Sequence, residues 1–163
     1  MSILIDHATD IIEVARVNPA VALAYAPSME EMMSPEDSDV WQEYDYTEAI
    51  LTRETNAVLG YINGRFVGCC VFSINLNDPT IGKIQKIAVK NISLYARIAP
   101  LLVQETLAYL KMRGCLDIQM DLHQDCNFLQ FILRSAGFRF RGKLPREHPL
   151  AVNGDAFLFS CEL

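Results

Sequence analysis

The stretch "IQKIAVKNISLYARIAPLLVQETLAYLKMRG", residues 84–114, decides the fold of this chain. Its first six residues form an apolar strand pattern. The rest is a long helix pattern that ends at Gly114, a residue suited to the position after a helix. The next segment, "CLDIQMDL" (115–122), alternates apolar and polar residues, as a strand with one solvent-exposed face does. A strand, a helix and a second strand predict a parallel strand pair with a right-handed crossover.

An antiparallel hairpin precedes this unit. The segment "NAVLGYINGRFVGCCVFSIN" (56–75) contains two apolar runs joined by Asn63-Gly64. A type I′ turn favours this dipeptide because both of its central residues take positive φ. Elsewhere the patterns predict a strand at 3–5, a helix at 10–17 capped by Thr9, helices near 29–33, 45–54 and 127–136, and closing strands at 138–142 and 155–163. The prediction is one α/β domain over residues 1–163, with a mixed sheet and helices on both faces.

Composition excludes several classes of protein. The chain has 163 residues, 51% of them hydrophobic, and a net charge of −6. A chain of this length can bury a hydrophobic core without stabilising disulfides or metals. Its acidity disfavours general binding to nucleic acid or to anionic membranes. No apolar run approaches the roughly 20 residues of a membrane span, and the start has no signal-peptide pattern. The five cysteines show no CxxC spacing, so we expect reduced thiols in a cytoplasmic protein.

The element order over residues 46–163 resembles the Gcn5-related N-acetyltransferase (GNAT) superfamily, and "CNFLQFILRSAGF" (126–138) loosely matches its late segment. The resemblance implies a mostly antiparallel sheet with a central parallel pair. It also implies acyl transfer from acetyl-CoA to a small-molecule or protein amine. Two strands would splay after a bulge, with pantetheine bound along residues 84–89 and phosphates at a turn within 90–100. The strand contacts implied are Ile87, Ala88 and Val89.

The phosphate turn departs from the family pattern, Gln/Arg-x-x-Gly-x-Gly/Ala. With the helix kept in register, the three patterned positions fall on Leu94, Arg97 and Ala99, and only Ala99 fits. Arg97 is a candidate to pair a phosphate with its guanidinium, and Ile98 and Ala99 would follow it in the turn. Pro100 offers no N–H. The chain is therefore either an enzyme with a rebuilt phosphate site or a GNAT-like protein that has lost the cofactor.

A second departure concerns the group that protonates the leaving thiolate. The family's tyrosine falls on Leu133, which cannot donate a proton. Tyr95, Tyr109 or a water molecule remain as alternatives. This combination resembles acetyltransferase-like proteins of tailed phages that act in head assembly. That narrower resemblance implies phage structural partners and a location in the host cytoplasm or the virion. The oligomeric state would be a monomer or a homodimer.

Three residues are candidates for catalysis. His123 follows the strand at 115–122 and would be a base near neutral pH, with a solvated loop histidine as the alternative. Glu43 and Tyr44, within "WQEYDY" (41–46), would contact a cationic amine, together with Asp45. The alternative is an amphipathic helix start. Gln85 occupies the strand where some family members place a glutamate base, but an amide cannot take that role. No histidine has metal-ligand spacing, so no metal is predicted.

Overall fold

The computed structural model describes residues 2–6, 10–32, 43–51 and 55–163. Within these residues the strands are β1 (Ser2–Asp6), β2 (Asp10–Val17), β3 (Thr55–Ile62), β4 (Arg65–Ile74), β5 (Ile81–Val89), β6 (Asp117–His123), β7 (Arg139–Lys143) and β8 (Ala156–Glu162). The helices are α1 (Pro19–Ala24), α2 (Ala26–Glu30), α3 (Glu43–Leu51), α4 (Ile92–Met112) and α5 (Asn127–Ser135).

The described strands form one sheet in the order β1-β2-β3-β4-β5-β6-β8-β7. The β5–β6 pair is parallel, and the other six pairs are antiparallel. The predicted mixed sheet with a central parallel pair is therefore confirmed. Within the described part of the chain, no helix is both long and apolar enough to cross a membrane.

Helices cover both faces of the sheet, as predicted. Cys69 and Cys70 are adjacent on β4 and both fully buried, yet they belong to different apolar clusters. Adjacent strand residues point to opposite faces, so the two clusters lie on opposite sides of the sheet. Residues of α4 and α5 belong to the larger cluster, and residues of α1, α2 and α3 to the smaller one.

The predicted hairpin turn is confirmed. Asn63 and Gly64 connect β3 to β4 with φ angles of 50° and 78°, the positive values that a type I′ turn requires. The predicted end of the long helix is also confirmed, because α4 closes at Arg113 and Gly114 follows with φ 90°. Both features depend on residues close in sequence.

The helix predicted at 10–17 is wrong, because this segment is strand β2. Ile12 and Val14 are both 1% exposed and lie opposite Ile62 and Gly60 of β3. In eight residues the same apolar positions fit helix and strand spacing, and pairing with β3 decides between them. The predicted cap, Thr9, lies outside the described residues.

A proline lies in the first turn of each of the two short helices, α1 and α2. Pro19 follows Asn18, whose side chain accepts a hydrogen bond from the Val21 N–H at 2.9 Å. Pro27 lies in the first turn of α2. Proline is tolerated there because first-turn N–H groups have no partner within the helix. The helical region thus begins ten residues before the predicted helix near 29–33.

Candidate functional site

The parallel strands β5 and β6 pair over three residues and then separate. Ile81, Gly82 and Lys83 lie opposite Asp117, Ile118 and Gln119. Beyond Lys83, β5 continues to pair with β4 as far as Val89 opposite Gly68. From residue 84 to 89 the other edge of β5 therefore faces the gap that opens towards β6.

A β-bulge at Gln85 marks the point of separation. Val71 of β4 lies opposite Lys86 and Phe72 lies opposite Ile84, so Gln85 is an extra residue in β5. The Gln85 Nε2 donates to Ser73 Oγ at 3.2 Å. Its Oε1 is buried and has no hydrogen-bond partner among the described residues.

A cavity of about 610 Å³ lies beside the bulge. One wall is the stretch 83–85 of β5, and the α3 helix forms another. The remaining walls come from β6 and from the loop between β7 and β8. The lining residues are Asp45, Glu48, Ala49, Lys83, Ile84, Gln85, Asp121, His148, Pro149 and Leu150.

Asp121 lies in the cavity wall next to β5 and accepts two hydrogen bonds there. Its Oδ2 accepts hydrogen bonds from Lys83 Nζ at 2.6 Å and from His148 Nε2 at 3.0 Å. The Leu150 N–H donates to His148 Nδ1 at 3.1 Å, so the neutral ring carries its proton on Nε2. These bonds fix the 148–150 loop against the sheet, which gives the cavity a defined wall.

The cavity favours a cation. Its lining residues include the carboxylates of Asp45, Glu48 and Asp121 and one ammonium, that of Lys83. The lining carboxylates outnumber the lining ammonium by three to one, so the formal charge of the wall is negative. Lys83 and His148 are both directed to Asp121, and the other two carboxylates lie across the cavity on α3. A protonated amine is the organic group that best complements such a wall.

The connection from β5 to α4 consists of only two residues, Lys90 and Asn91. Asn91 caps α4, because its Oδ1 accepts the Leu94 N–H at 3.1 Å, and the helix begins at Ile92. The connection therefore lies at residues 90 and 91, inside the predicted range 90–100, and it contains no glycine turn. Pro100 lies in the third turn of α4, where it leaves the Ala96 carbonyl without its helical donor.

The N-terminus of α4 still offers hydrogen-bond donors to an anion. The Lys90 N–H bonds to the Val67 carbonyl at 2.7 Å, while the Lys90 side chain is exposed. Ile92 and Ser93 lie in the first helical turn, where N–H groups have no acceptor within the helix. The helix dipole and these donors favour negative charge at this end.

The predicted strand contacts lie along the open edge of β5. Ile87, Ala88 and Val89 are at most 1% exposed, and their side chains pack into the two apolar clusters on opposite faces. They would therefore meet a ligand through backbone groups rather than side chains.

The predicted turn contacts lie in the second turn of α4. Ile98 and Ala99 are fully buried. Ile98 packs on the paired glycines Gly60 and Gly68, where an added Cβ would lie 3.2 and 3.3 Å from Ile98 Cγ2. These contacts hold the helix close to the sheet, so the two side chains contribute to packing.

Arg97 faces β2. Its Nη2 lies 3.1 Å from Asp10 Oδ2. Hydrogen bonds to Arg97 and to Asn63 hold the pKa of the Asp10 carboxyl below its usual value. This ion pair joins the start of α4 to the hairpin end of the sheet, a contact between residues 87 positions apart. A role of Arg97 in phosphate binding stays a prediction.

Of the predicted catalytic residues, the structure describes the side chain of His123, which is not among the residues that line the cavity. His123 is 5% exposed, its Nε2 lies 3.2 Å from the Val152 carbonyl, and its Nδ1 accepts the Asp125 N–H at 3.2 Å. It is therefore a packed histidine rather than a solvated one. Glu43 and Tyr44 begin α3, but their side chains lie outside the described part of the chain. Their neighbour Asp45 does line the cavity.

The sequence analysis did not identify Lys83, Asp121 or His148 as site residues. Lys83 and Asp121 occupy neighbouring strands, so their positions on one face were available from strand alternation. His148 is in a long loop, and no local pattern indicates where that loop folds. Among the described residues, no group of three His, Cys, Asp or Glu side chains is arranged to hold a metal ion.

The alternatives for a proton donor also differ in position. Leu133 is fully buried in the core, which agrees with its interpretation as an apolar replacement. The Tyr95 ring packs against Phe128 of α5 at 5.6 Å between centroids. The Tyr109 hydroxyl accepts a hydrogen bond from Arg113 at 2.9 Å, in the last turns of α4. Of the two tyrosines, Tyr95 lies at the end of α4 that adjoins the open edge of β5.

No known family's sequence profile matches this chain, and no curated protein sequence matches it either. Solved structures do match. A GNAT-family acetyltransferase from Streptococcus pneumoniae has a TM-score of 0.71 and 13% identity, over 93% of this chain and 99% of that chain.

Two further neighbours are similar over most of their length. The ribosomal-protein-S18-alanine N-acetyltransferase from Escherichia coli has a TM-score of 0.70 and 15% identity, over 93% of each chain. The PaiA N-acetyltransferase from Thermoplasma acidophilum, in complex with coenzyme A, has a TM-score of 0.68 and 12% identity, over 93% of this chain and 99% of that chain. Identities this low establish a shared fold and leave the activity open. The chain has the fold of the GNAT acetyltransferases.

Proposed function

We propose that this protein is an N-acyltransferase that transfers an acetyl group from acetyl-CoA to an amine. The observation that carries the proposal is the bulge at Gln85, which joins the open edge of β5 to an acidic cavity. The open edge suits a thioester-bearing arm, and the cavity suits an amine. The PaiA structure, which holds coenzyme A in the same fold, supports the choice of cofactor.

The residues present fit the pantetheine part of the cofactor. The arm carries amide groups, and an extended chain with amides can add to a strand edge through backbone hydrogen bonds. Residues 84–89 provide such an edge, because β6 has moved away from them. Ile87, Ala88 and Val89 would be the backbone contacts.

The phosphate part would be held differently from the family pattern. The glycine turn is replaced by helix from Ile92 onwards, so the available donors are the first-turn N–H groups and the exposed ammonium of Lys90. Arg97, in the second turn of the helix and paired with Asp10, is a second candidate. We propose that Lys90 contributes most, since its side chain is exposed at the N-terminus of α4.

The cavity residues would bind and orient the acceptor. When bound, acetyl-CoA would supply an acyl group on a thioester; the neutral amine would form a C–N bond to that group, the C–S bond would break, and the leaving thiolate would take a proton from solvent. The Asp45 and Glu48 carboxylates attract the amine as its cation. The bound ammonium would lose one proton to solvent before it attacks, because a protonated amine has no lone pair. Lys83 and His148 are both hydrogen-bonded to Asp121. Catalytic roles for His123, Glu43 and Tyr44 stay predictions, each testable by alanine substitution.

Calorimetric titration with acetyl-CoA tests the proposal. We expect binding to the wild-type protein and release of free thiol when an amine is added. Lys90→Ala should weaken acetyl-CoA affinity by about 1 kcal/mol or more, the scale of a hydrogen bond to a charged group. Lys111→Ala is the matched control, since Lys111 is an exposed lysine at the other end of α4. Absence of binding at millimolar acetyl-CoA would contradict the proposal.

The same titration tests Arg97. If Arg97 pairs with a phosphate, Arg97→Ala should lower acetyl-CoA affinity by more than about 1 kcal/mol. Asp10→Asn should then strengthen binding, because it releases the guanidinium from its partner. Unchanged affinity in both variants would restrict Arg97 to its contact with β2.

A non-catalytic GNAT-like protein is the second candidate. The replacement of the glycine turn by helix and the buried Leu133 favour it. In this case the protein would act through contacts with other proteins, as a monomer or homodimer in the cytoplasm. The comparisons do not support the narrower resemblance to tailed-phage head-assembly proteins, which remains a prediction about partners. Failure to bind acetyl-CoA, together with a stable fold, would select this candidate.

A further inference from the structure

Gln85 has one side-chain atom that the fold leaves unsatisfied. Its Nε2 is held by Ser73 Oγ at 3.2 Å, whereas its Oε1 is buried without a hydrogen-bond partner among the described residues. A buried acceptor without a donor costs free energy, and such an atom in a native structure calls for an explanation, of which a role in binding or catalysis is one.

The backbone and the neighbouring strand fix the direction of this amide. Gln85 is the extra residue of the bulge, and bulges commonly re-aim one side chain next to an active site. Ser73, which holds the amide nitrogen, lies on β4 opposite Lys83. The amide is therefore held in place before any ligand arrives.

The nearby donors of the cavity point elsewhere. Lys83 Nζ and His148 Nε2 both donate to Asp121 Oδ2, and Gln85 is a lining residue of the same cavity. A donor for Oε1 would thus come with a molecule that enters the cavity. A cation with N–H groups would suit this acidic site and would bring such a donor.

We propose that Gln85 Oε1 binds the acceptor amine by accepting one of its N–H bonds, which sets the direction of the amine at the point where β5 and β6 separate. This inference rests on the proposed amine acceptor. An amide oxygen accepts a hydrogen bond without taking up the proton, so it holds the amine both as its cation and after deprotonation. The site should therefore prefer primary and secondary amines to quaternary ammonium ions, which have no N–H.

Amine binding can be measured without acetyl-CoA. We would titrate the protein with n-butylamine and with butyltrimethylammonium and follow backbone amide chemical shifts by NMR. The dissociation constant of butyltrimethylammonium divided by that of n-butylamine reports the N–H contact, and a larger ratio means a stronger preference for n-butylamine. Gln85→Met removes the acceptor at similar size, and it should lower the preference for n-butylamine by about fivefold, the value of one hydrogen bond. Gln85→Glu retains an acceptor and should keep the preference.

Gln119→Met is the matched control. Gln119 is a half-buried glutamine on β6 whose Nε2 donates to Asp117, and it does not line the cavity. The ratio of dissociation constants for the Gln119→Met variant should equal that of the wild type. If Gln85→Met does not fold, Ser73→Ala, which frees the amide while keeping the acceptor, should lower the ratio instead. A wild-type ratio in Gln85→Met or in a folded Ser73→Ala would overturn the inference, as would a wild-type protein that binds neither probe.

A separate assay tells failure of the inference from failure of the proposed function. Thiol release from acetyl-CoA in the presence of n-butylamine reports acyl transfer. If the wild type shows no transfer but the binding ratio depends on Gln85, the amine site stands and the acyltransferase proposal fails. If transfer occurs and the ratio does not depend on Gln85, the transferase stands and the inference fails.

Discussion

Gly82→Ala should destabilise the protein through close contacts with two side chains, Ile118 and Leu110. Gly82 pairs with Ile118 in the middle of the three-residue parallel ladder. A Cβ at this position would lie 2.8 Å from Ile118 Cδ1 and 3.0 Å from Leu110 Cδ1. Both neighbours are fully buried, so they have little room to move. The contact matters for the site because this ladder fixes where β5 and β6 separate.

The size of the effect follows from these distances. Carbon atoms pack best at about 3.5–4.0 Å, so the Ile118 tip must move by about 0.7 Å or more. Overpacking a core costs about 1–3 kcal/mol, and replacing a glycine at a compatible φ recovers about 0.4–1 kcal/mol. We therefore expect a net loss of about 1–2 kcal/mol in the free energy of unfolding.

Ile118→Val removes the Cδ1 atom that clashes. Alone it should cost about 0.5–1.5 kcal/mol. In combination with Gly82→Ala, the loss should be smaller than the sum of the two single losses by about 1 kcal/mol, because the methyl group then occupies the vacated space. Urea unfolding midpoints and slopes for the four proteins measure this coupling.

Ile132→Val serves as the control for this cycle. Ile132 is equally a buried isoleucine, on α5, and is not among the nearest neighbours of a methyl group added at Gly82. Its combination with Gly82→Ala should be additive within about 0.5 kcal/mol. If the Ile118 cycle is equally additive, the steric reasoning is refuted.

Three further predictions concern charge and thiol chemistry. Hydrogen bonds lower the pKa of Asp10 in the folded protein. The contribution of Asp10 to stability is therefore present above its unfolded pKa and is lost as pH falls through its folded pKa. Between about pH 5 and pH 3, urea unfolding should show that Asp10→Asn loses less stability than the wild type does. Asp121→Ala should raise the KM for an amine about tenfold and leave the KM for acetyl-CoA unchanged, since Lys83 loses its counter-charge; equal changes in both would contradict this. Burial raises the pKa of Cys70 to about 12, so a thiol reagent should modify Cys70 only after denaturant is added, and rapid reaction in native protein would count against the packing.

The sequence predicted features that depend on near neighbours. The hairpin at Asn63-Gly64, the long helix with its end at Gly114 and the parallel pair all follow from turn chemistry and periodicity, and the structure confirms them. The prediction for segment 10–17 was wrong because its eight residues fit both the helical and the strand period. Pairing with β3 makes this segment a strand.

The candidate site depended much more on tertiary structure. The sequence showed that the glycine turn was absent, but only the structure shows that helix takes its place, with Asn91 as cap. It showed that Gln85 is an amide, but a bulge is a mismatch between two strands, and sequence patterns along one strand do not reveal it. His148 reaches Asp121 across 27 residues, through a loop without periodicity.

The sequence by itself determined the fold, because apolar spacing and turn residues act over a few positions and agree along most of the chain. Tertiary structure alone decided the site. Strand registration left Gln85 Oε1 unsatisfied, and loop folding brought His148 to Asp121 beside Lys83. Those contacts join residues far apart in sequence, and their geometry is set by packing of the whole sheet rather than by any local pattern.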